Sequence, residues 1–242
     1  MIIKNTIREI LILLHLDLTK NLKYDRLTRL ILKENINKNT KCIDIGCHKG
    51  EILTLMLKHA PNIEHYGFEP IPYLYKELKS KFKNKANILP YALSDINGNT
   101  TFQLVKNAPA YSGIKRRKYD IENPEIEEIN VEVKTLDTLI PVTEKIHFIK
   151  IDVEGGEFNV LKGAKNMLKS NKPFILFEFG KGASDYYDTN PVDLFNFITI
   201  EIGLNIFTLQ AFIENKLHLN SSEFERIYDS NEEYYFIAGP AK

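Results

Sequence analysis

Cysteine is scarce in this chain: there are only two. Cys42 and Cys47 stand five residues apart in a stretch that reads as a strand end and loop, and no further cysteine completes a disulfide framework or a zinc set. A reducing, cytoplasmic compartment is therefore expected. Net charge is absent as well, with 32 Lys plus Arg against 32 Asp plus Glu. No global basic field exists to hold a polyanion, so nucleic acid is not an expected partner. Long apolar runs are missing too. The longest early one, Ile10 to Leu14, is bounded by Arg8, Glu9, His15 and Asp17, far short of the roughly 20 residues that a spanning helix needs. It has no small-residue cleavage site after it, so neither a membrane span nor export is expected.

What is present is ordinary for a folded protein: 242 residues, 43% hydrophobic, 11% aromatic and 26% charged. These values exclude disordered, collagenous and coiled-coil chains and suit one large α/β domain with additions. Apolar residues recur at helical spacing from Ile2 to Leu18 and again from Tyr24 to Ile36, predicting two packing helices in an N-terminal extension over 1–40. Such stripes serve as core or as an oligomer surface, so a homo-oligomer through these helices is one expectation.

From Lys41 the rhythm changes, and 41–242 reads as the main domain. Strand candidates at Cys42–Ile45, Glu64–Phe68, Asn87–Tyr91, Ile146–Ile151 and Phe174–Phe177 alternate with helices near Glu51–His59, Tyr73–Phe82 and Glu157–Lys169. Such alternation predicts right-handed crossovers and a doubly wound, largely parallel sheet covered on both faces. Thr100–Val105 and Ile129–Thr135 interrupt it with period-two patterns, predicting an antiparallel ribbon. The long polar connection between them, 106–128, is either a substrate lid or a surface loop. After Pro191 one more helix runs to Gly203, and the apolar runs Ile206–Leu209 and Tyr234–Ile237 complete the sheet.

The segment KCIDIGCHKGEILTLML sets an apolar strand against Asp44, Gly46 and Gly50 and then opens a helix. Gly46 permits a sharp turn off the strand and close approach of a ligand, while the helix start offers amides to an anionic group. The Gly-x-x-x-Gly spacing is not the three-glycine run of a pyrophosphate-bridged dinucleotide. A ligand carrying both an amino group and a carboxylate suits it better, as at the methionine end of S-adenosylmethionine. Glu69 follows Gly50 by 19 residues, where a carboxylate accepts both hydroxyls of a ribose. The third strand ends at Ala92 and Leu93, and Ser94 or Asp95 beyond it could accept an adenine amino group. Asp95 also begins a turn, which is a sufficient structural reason for it.

The series DIGCHKG, GFEP, ALSDINGNTTF, VKTLD, IKIDVEGGEFNVLKGA and FILFE, spread from Cys42 to Glu178, resembles the FkbM family of S-adenosylmethionine-dependent methyltransferases. The resemblance implies a class I methyltransferase fold with a seven-stranded Rossmann-like sheet. It also implies cofactor contacts at the glycine loop and Glu69, and O-methylation of a sugar or carbohydrate-linked small molecule. Cys47, His48 and Lys49 depart from the small and amide residues common in the family's first loop. The cofactor set expected is Asp44, Gly46, Cys47, His48, Gly50, Glu69, Pro70, Ala92, Leu93, Ser94, Asp95 and Asp152.

Methyl transfer from a sulfonium is an in-line displacement, so alignment and exclusion of water come first. A hydroxyl acceptor must also lose a proton. Asp152 and Glu154 sit where the fourth strand runs out and Glu178 closes the next, where ligands of open α/β sheets lie. These three are the candidate catalytic residues, with Asp152 expected to orient or deprotonate the acceptor. Their oxygens could also hold a divalent cation. Alternatively, Glu154 serves the following helix start and Glu178 bonds loop amides. His48 and His147 are read as structural, and the run Lys115–Lys118 as a solvated face. Tyr111, Tyr186 and Tyr187 either stack on a sugar ring or anchor their own loops. N-methylation, carboxyl methylation and a non-catalytic cofactor-binding scaffold stand as alternatives.

Overall fold

A computed structural model describes residues 11, 12 and 17–240. The first predicted helix, 2–18, falls mostly outside the described residues. The second is present as α1, Lys20–Asn35, capped by Thr19, whose side chain accepts from the Leu22 amide. Then come β1 (Cys42–Ile45), α2 (Glu51–His59), β2 (His65–Phe68), α3 (Pro72–Lys81), β3 (Ala86–Leu89), β4 (Ala92–Leu93), β5 (Gly98–Val105) and β6 (Ile126–Lys134). The second half adds α4 (Leu136–Leu139), β7 (Phe148–Ile151), α5 (Glu157–Gly163), α6 (Lys165–Asn171) and β8 (Phe174–Glu178). It ends with α7 (Pro191–Asn196), which runs into a π-helical turn over Phe197–Ile202, then β9 (Asn205–Thr208), α8 (Leu209–Ile213), α9 (Ser221–Ser230) and β10 (Tyr235–Gly239).

Seven strands form one sheet in the order β3-β2-β1-β7-β8-β10-β9. All neighbours are parallel except β10, which runs antiparallel to both β8 and β9. The expected doubly wound, mostly parallel sheet is therefore what the chain builds. Its two faces are buried by alternation along each strand. Ile149 and Ile151 of β7 and Ile175 and Phe177 of β8 join one core with α5, α6, α7 and α9. Phe148 and Leu176 face the other way, with Leu53 and Met56 of α2 and Phe212 of α8. Leu27, Ile31 and Leu32 of α1 belong to that second core, so this apolar stripe is covered by its own chain and not left as an oligomer surface.

The predicted ribbon is longer than its apolar pattern. β5 and β6 pair antiparallel from Gly98↔Val133 to Val105↔Ile126, and β4 adds a third strand beside β6. The charged alternation Glu127, Glu128 hides the outer end of β6, because one face of this ribbon is wet. Its inner face, with Phe102, Leu104, Val131 and Val133, packs on Ile71 and Leu74.

Three more expectations shift. The helix predicted over Glu157–Lys169 breaks at Ala164 into α5 and α6. The strand predicted to Tyr91 stops at Leu89, because the chain leaves the large sheet to form β4. Helix α9 lies between two runs read only as strands. Its signal is the capping box, in which Asn220 accepts from the Glu223 amide and Glu223 accepts from the Asn220 amide.

Candidate active site

The strand ends of β1, β2, β7 and β8 and the start of β10 share one edge of the sheet, and a cavity of about 900 Å³ opens there. This lies within the roughly 300–1,000 Å³ of small-molecule sites. At the β1 end, Gly46 takes φ +76°, and the amides of Gly46 and Cys47 both donate to Phe68 O, at 3.1 and 3.0 Å. A Cβ at Gly46 would stand 1.9 Å from Asp152 O. The bend therefore has to be glycine both for its left-handed backbone and for the approach of β7's end.

Glu69 is 3% exposed. One of its oxygens accepts from the His48 amide at 2.8 Å and the other from the Ile71 amide at 2.9 Å. Each oxygen keeps a second lone pair, so two hydroxyls could still be accepted. Burial pushes this carboxyl up to about 7, against the two amide bonds. The β2 acid and the glycine bend are thus parts of one structure, joined through His48. His48 itself adopts φ +49°, its Nε2 is buried without a partner among the described residues, and burial lowers its pKa.

Gly46, Cys47, His48, Glu69, Pro70, Ala92, Leu93, Ser94, Asp152, Glu154 and Glu178 all line the cavity. Asp44, Gly50 and Asp95 do not. Asp44 is fully buried beneath the bend, where it accepts from the Leu53 amide in the first turn of α2 at 3.1 Å. Asp95 turns away to an ion pair with Lys162 at 3.0 Å. The amide of Gly50 is closed onto Cys47 O at 2.7 Å, so part of the helix start expected to greet an anion is already satisfied.

Lys150, a functional residue that the strand-end pattern does not single out, lines the floor of the site. It occupies the position opposite Asp44 on the adjacent parallel strand, on the same face of the sheet. Its ammonium stands 3.6 Å from Asp44 and 3.4 Å from Asp152, and donates to Gly46 O at 2.9 Å. Burial alone would discharge it, but Asp152 and Asp44 more than reverse that and hold it charged. A lysine inside the apolar run FIKI was the available signal, because such a residue is buried only if paired.

On the β7 and β8 ends the three predicted acids do converge, with Asp152, Glu154 and Glu178 presenting oxygens that lie within 4.8 Å of one another. They are not equivalent. Burial raises Asp152, but Lys150 and hydrogen bonds from Tyr235 and Glu178 outweigh it and hold the carboxyl below its ordinary range. Tyr235 donates to Asp152 Oδ2 at 2.6 Å. Burial and the charge of Asp152 push Glu178 well above the carboxylate range, so it is protonated at neutral pH. Glu154, at φ +62°, forms an ion pair with Arg117, and burial followed by Asp152 lifts it to about 8. Glu157, buried one turn on, accepts from the Val153 and Gly155 amides at 3.0 and 3.1 Å and so fixes the loop that carries Glu154.

The connection from 106 to 125 lies over this rim and contributes Tyr111, Ser112 and Arg117 to the cavity. The hydroxyls of Tyr187 and Tyr186 accept from the Lys115 and Lys118 amides, both at 3.1 Å. Arg117 therefore belongs to the site and not to a solvated face. The other two aromatic candidates, Tyr186 and Tyr187, anchor the loop. His147 accepts from the Lys41 amide at 3.1 Å, a structural contact. Both thiols are buried, and burial pushes their pKa up, so Cys47 is no nucleophile.

A family model described as methyltransferase FkbM domain matches residues 44–226. No curated protein matches the chain. Among solved structures, an FkbM methyltransferase from Methylobacillus flagellatus KT is 16% identical with a TM-score of 0.52, the match covering 84% of this chain and 44% of that one. The chain thus spans less than half the length of that protein. An rRNA methylase from Streptococcus thermophilus is 8% identical, TM-score 0.47, over 90% of this chain and 96% of that one. A Streptococcus mutans protein solved in complex with SAH is 10% identical, TM-score 0.48, over 88% and 95%. The family model covers most of the chain, from the strand that carries Asp44 to helix α9, and the chain belongs to the FkbM methyltransferase domain family.

Proposed function

We propose that this protein transfers a methyl group from S-adenosylmethionine to a hydroxyl oxygen, on a sugar or a carbohydrate-linked small molecule. One observation carries the reading: Asp152, held ionised at the end of β7, faces the same cavity as Glu69 and the Gly46 bend. When bound, the cofactor supplies a methyl on a positively charged sulfur, already activated for displacement. The residues fit such a group, since Glu69 has lone pairs for a ribose diol and His48 Nε2 is a buried polar atom without a partner among the described residues. Gly46, Cys47, His48, Glu69, Pro70, Ala92, Leu93 and Ser94 are the proposed contacts. Asp44 and Lys150 act beneath them by holding the bend.

Asp152 accepts the hydrogen bond of the acceptor O–H and so aims one oxygen lone pair along the line of attack. As that oxygen gains positive character its proton becomes far more acidic than that of a free alcohol, so a weak base suffices, and Asp152 takes it. Protonated Glu178 and Tyr235 keep Asp152 in place. The 106–128 segment, fastened at Arg117, is read as the lid that excludes water from this step. Arg117 and Lys150 already balance the rim's charge, so a divalent cation would have to displace them, and we read the reaction as metal-free. Cytoplasmic location and an acceptor that is not nucleic acid belong to the same reading. Among the described residues no helix is long and apolar enough to cross a membrane.

The test is calorimetry with S-adenosylmethionine, S-adenosylhomocysteine and a nicotinamide dinucleotide, then acceptor screening with and without a chelator, with products identified by mass spectrometry. Micromolar binding of the first two, about −8 kcal/mol, with an O-methyl product unaffected by chelator, is expected. An N-methyl or ester product would establish the rival reactions, and cofactor binding with no product from any acceptor would favour a scaffold.

A further inference from the structure

Part of the cavity wall is built from elements outside the large sheet's parallel half. Tyr111 comes from the β5–β6 connection and Tyr234 from the turn before β10, and both line the cavity. Glu178 lines the same cavity. Two aromatic residues from separate segments thus line the cavity that holds the catalytic rim.

Each ring is held by a polar residue that also lines the cavity. The Tyr234 hydroxyl donates to Asn21 Oδ1 at 2.6 Å, an arrangement in which the Asn21 amide nitrogen remains a donor. Arg117 stands over the Tyr111 ring at 5.4 Å and over Tyr119 at 5.5 Å. Its side chain is only 9% exposed, and its Nε is a buried N–H without a partner among the described residues. A buried donor left unpaired is costly, so an arriving oxygen is favoured there.

Helix α1 is fastened to this wall through several contacts. Lys20 donates to the Asn231 and Glu232 carbonyls, both at 2.9 Å, and Lys23 pairs with Glu233 at 2.7 Å. Asn21, Tyr24, Asp25 and Thr28, spaced at one helix face, all line the cavity. Both α1 and Tyr234 lie outside the matched 44–226 region, so this wall is a feature of this chain beyond the family model.

We infer that Tyr111 and Tyr234 are the flat walls of the acceptor subsite and that Asn21 and Arg117 are its hydrogen-bonding determinants, the occupant being a sugar ring. Flat apolar faces edged by directed donors are what a polyhydroxylated ring presents itself to: C–H groups on its faces and hydroxyls at its rim. The inference rests on the methyl-transfer reading and goes further by assigning the acceptor's place and by making α1 a wall of the active site.

The experiment is saturation-transfer NMR on the full chain saturated with S-adenosylhomocysteine, with a panel of neutral, deoxy and uronic-acid oligosaccharides as probes. At least one is expected to bind. Tyr111→Ala and Tyr234→Ala are each expected to weaken it tenfold or more, while Tyr234→Phe, which keeps the ring, stays within about threefold. Asn21→Ala, at an exposed helical position, tests the rim and should weaken binding at least threefold should the alanine variants of the tyrosines fail to fold. Calorimetry with S-adenosylhomocysteine should give the same affinity throughout. Absence of binding by every oligosaccharide, or equal binding by the variants, overturns the subsite even where S-adenosylhomocysteine binds. Failure of S-adenosylhomocysteine to bind the unmodified chain overturns the methyl-transfer reading instead.

Discussion

The hydroxyl of Tyr235 meets Asp152 Oδ2 at 2.6 Å, joining β10, antiparallel to both its neighbours, to the end of the parallel strand β7. The same oxygen stands 3.4 Å from the Lys150 ammonium. Two donors on one carboxylate oxygen keep Asp152 ionised and fix its rotamer, which is what an acceptor-orienting group requires.

Asp152→Asn keeps the shape and loses the charge. Binding of S-adenosylhomocysteine is expected to stay within a few-fold, and turnover to fall by about a hundredfold or more. Wild-type turnover in a variant that still binds would remove Asp152 from the chemistry.

Lys150→Met leaves Asp44 and Asp152 in the interior without their counter-charge. Breaking a buried pair from one side costs about 3–5 kcal/mol, so urea unfolding should show a loss of that order. A loss below about 1 kcal/mol would show that the ammonium balances nothing.

Glu69 gives a pH signature. Its carboxyl lies at about 7 in the unliganded fold against an ordinary 4.5, and only the ionised form accepts two hydroxyls. Affinity for S-adenosylhomocysteine should thus fall about tenfold per pH unit below 7 and level off above it. Binding at pH 6 should release close to one proton, seen by calorimetry in buffers of different ionisation heat. Glu69→Gln should bind more weakly and without this slope. Between about 4.5 and 7 the folded state holds a proton that the unfolded chain has given up, so the group's contribution to the stability of the free protein declines as pH rises through that window.

Two glycines with positive φ separate strain from contact. Gly182→Ala, at φ +97° with no atom within 4 Å of the new Cβ, should cost about 1–2 kcal/mol from backbone strain alone. Gly46→Ala, at φ +76° and 1.9 Å from Asp152 O, forces β1 and β7 apart at the site. It should abolish S-adenosylhomocysteine binding and lower the melting temperature well beyond the Gly182 variant. Equal thermal shifts would deny the close approach.

Much of the site was legible because its acids stand at strand ends, and strand ends follow from apolar runs that stop. Asp152, Glu178 and Glu69 were found this way, and the glycine spacing pointed to the bend. Asp44, inside the end of β1, and Asp95, just past β4, also lie near strand ends, yet one caps α2 from below and the other pairs with Lys162. Position along a strand says which edge a side chain occupies but not which neighbour reaches it first.

The local pattern of this chain determined most of its strands and helices and the edge on which its ligands meet, because period and turn chemistry act over a few residues. Only the tertiary structure decided that Lys150 lies between Asp44 and Asp152, that Tyr235 reaches Asp152 from across β8, and that Arg117 leaves a charged run to enter the site. These partners are separated by up to more than a hundred positions. What pairs them is the desolvation cost of burying a charge, which depends on every element packed around it.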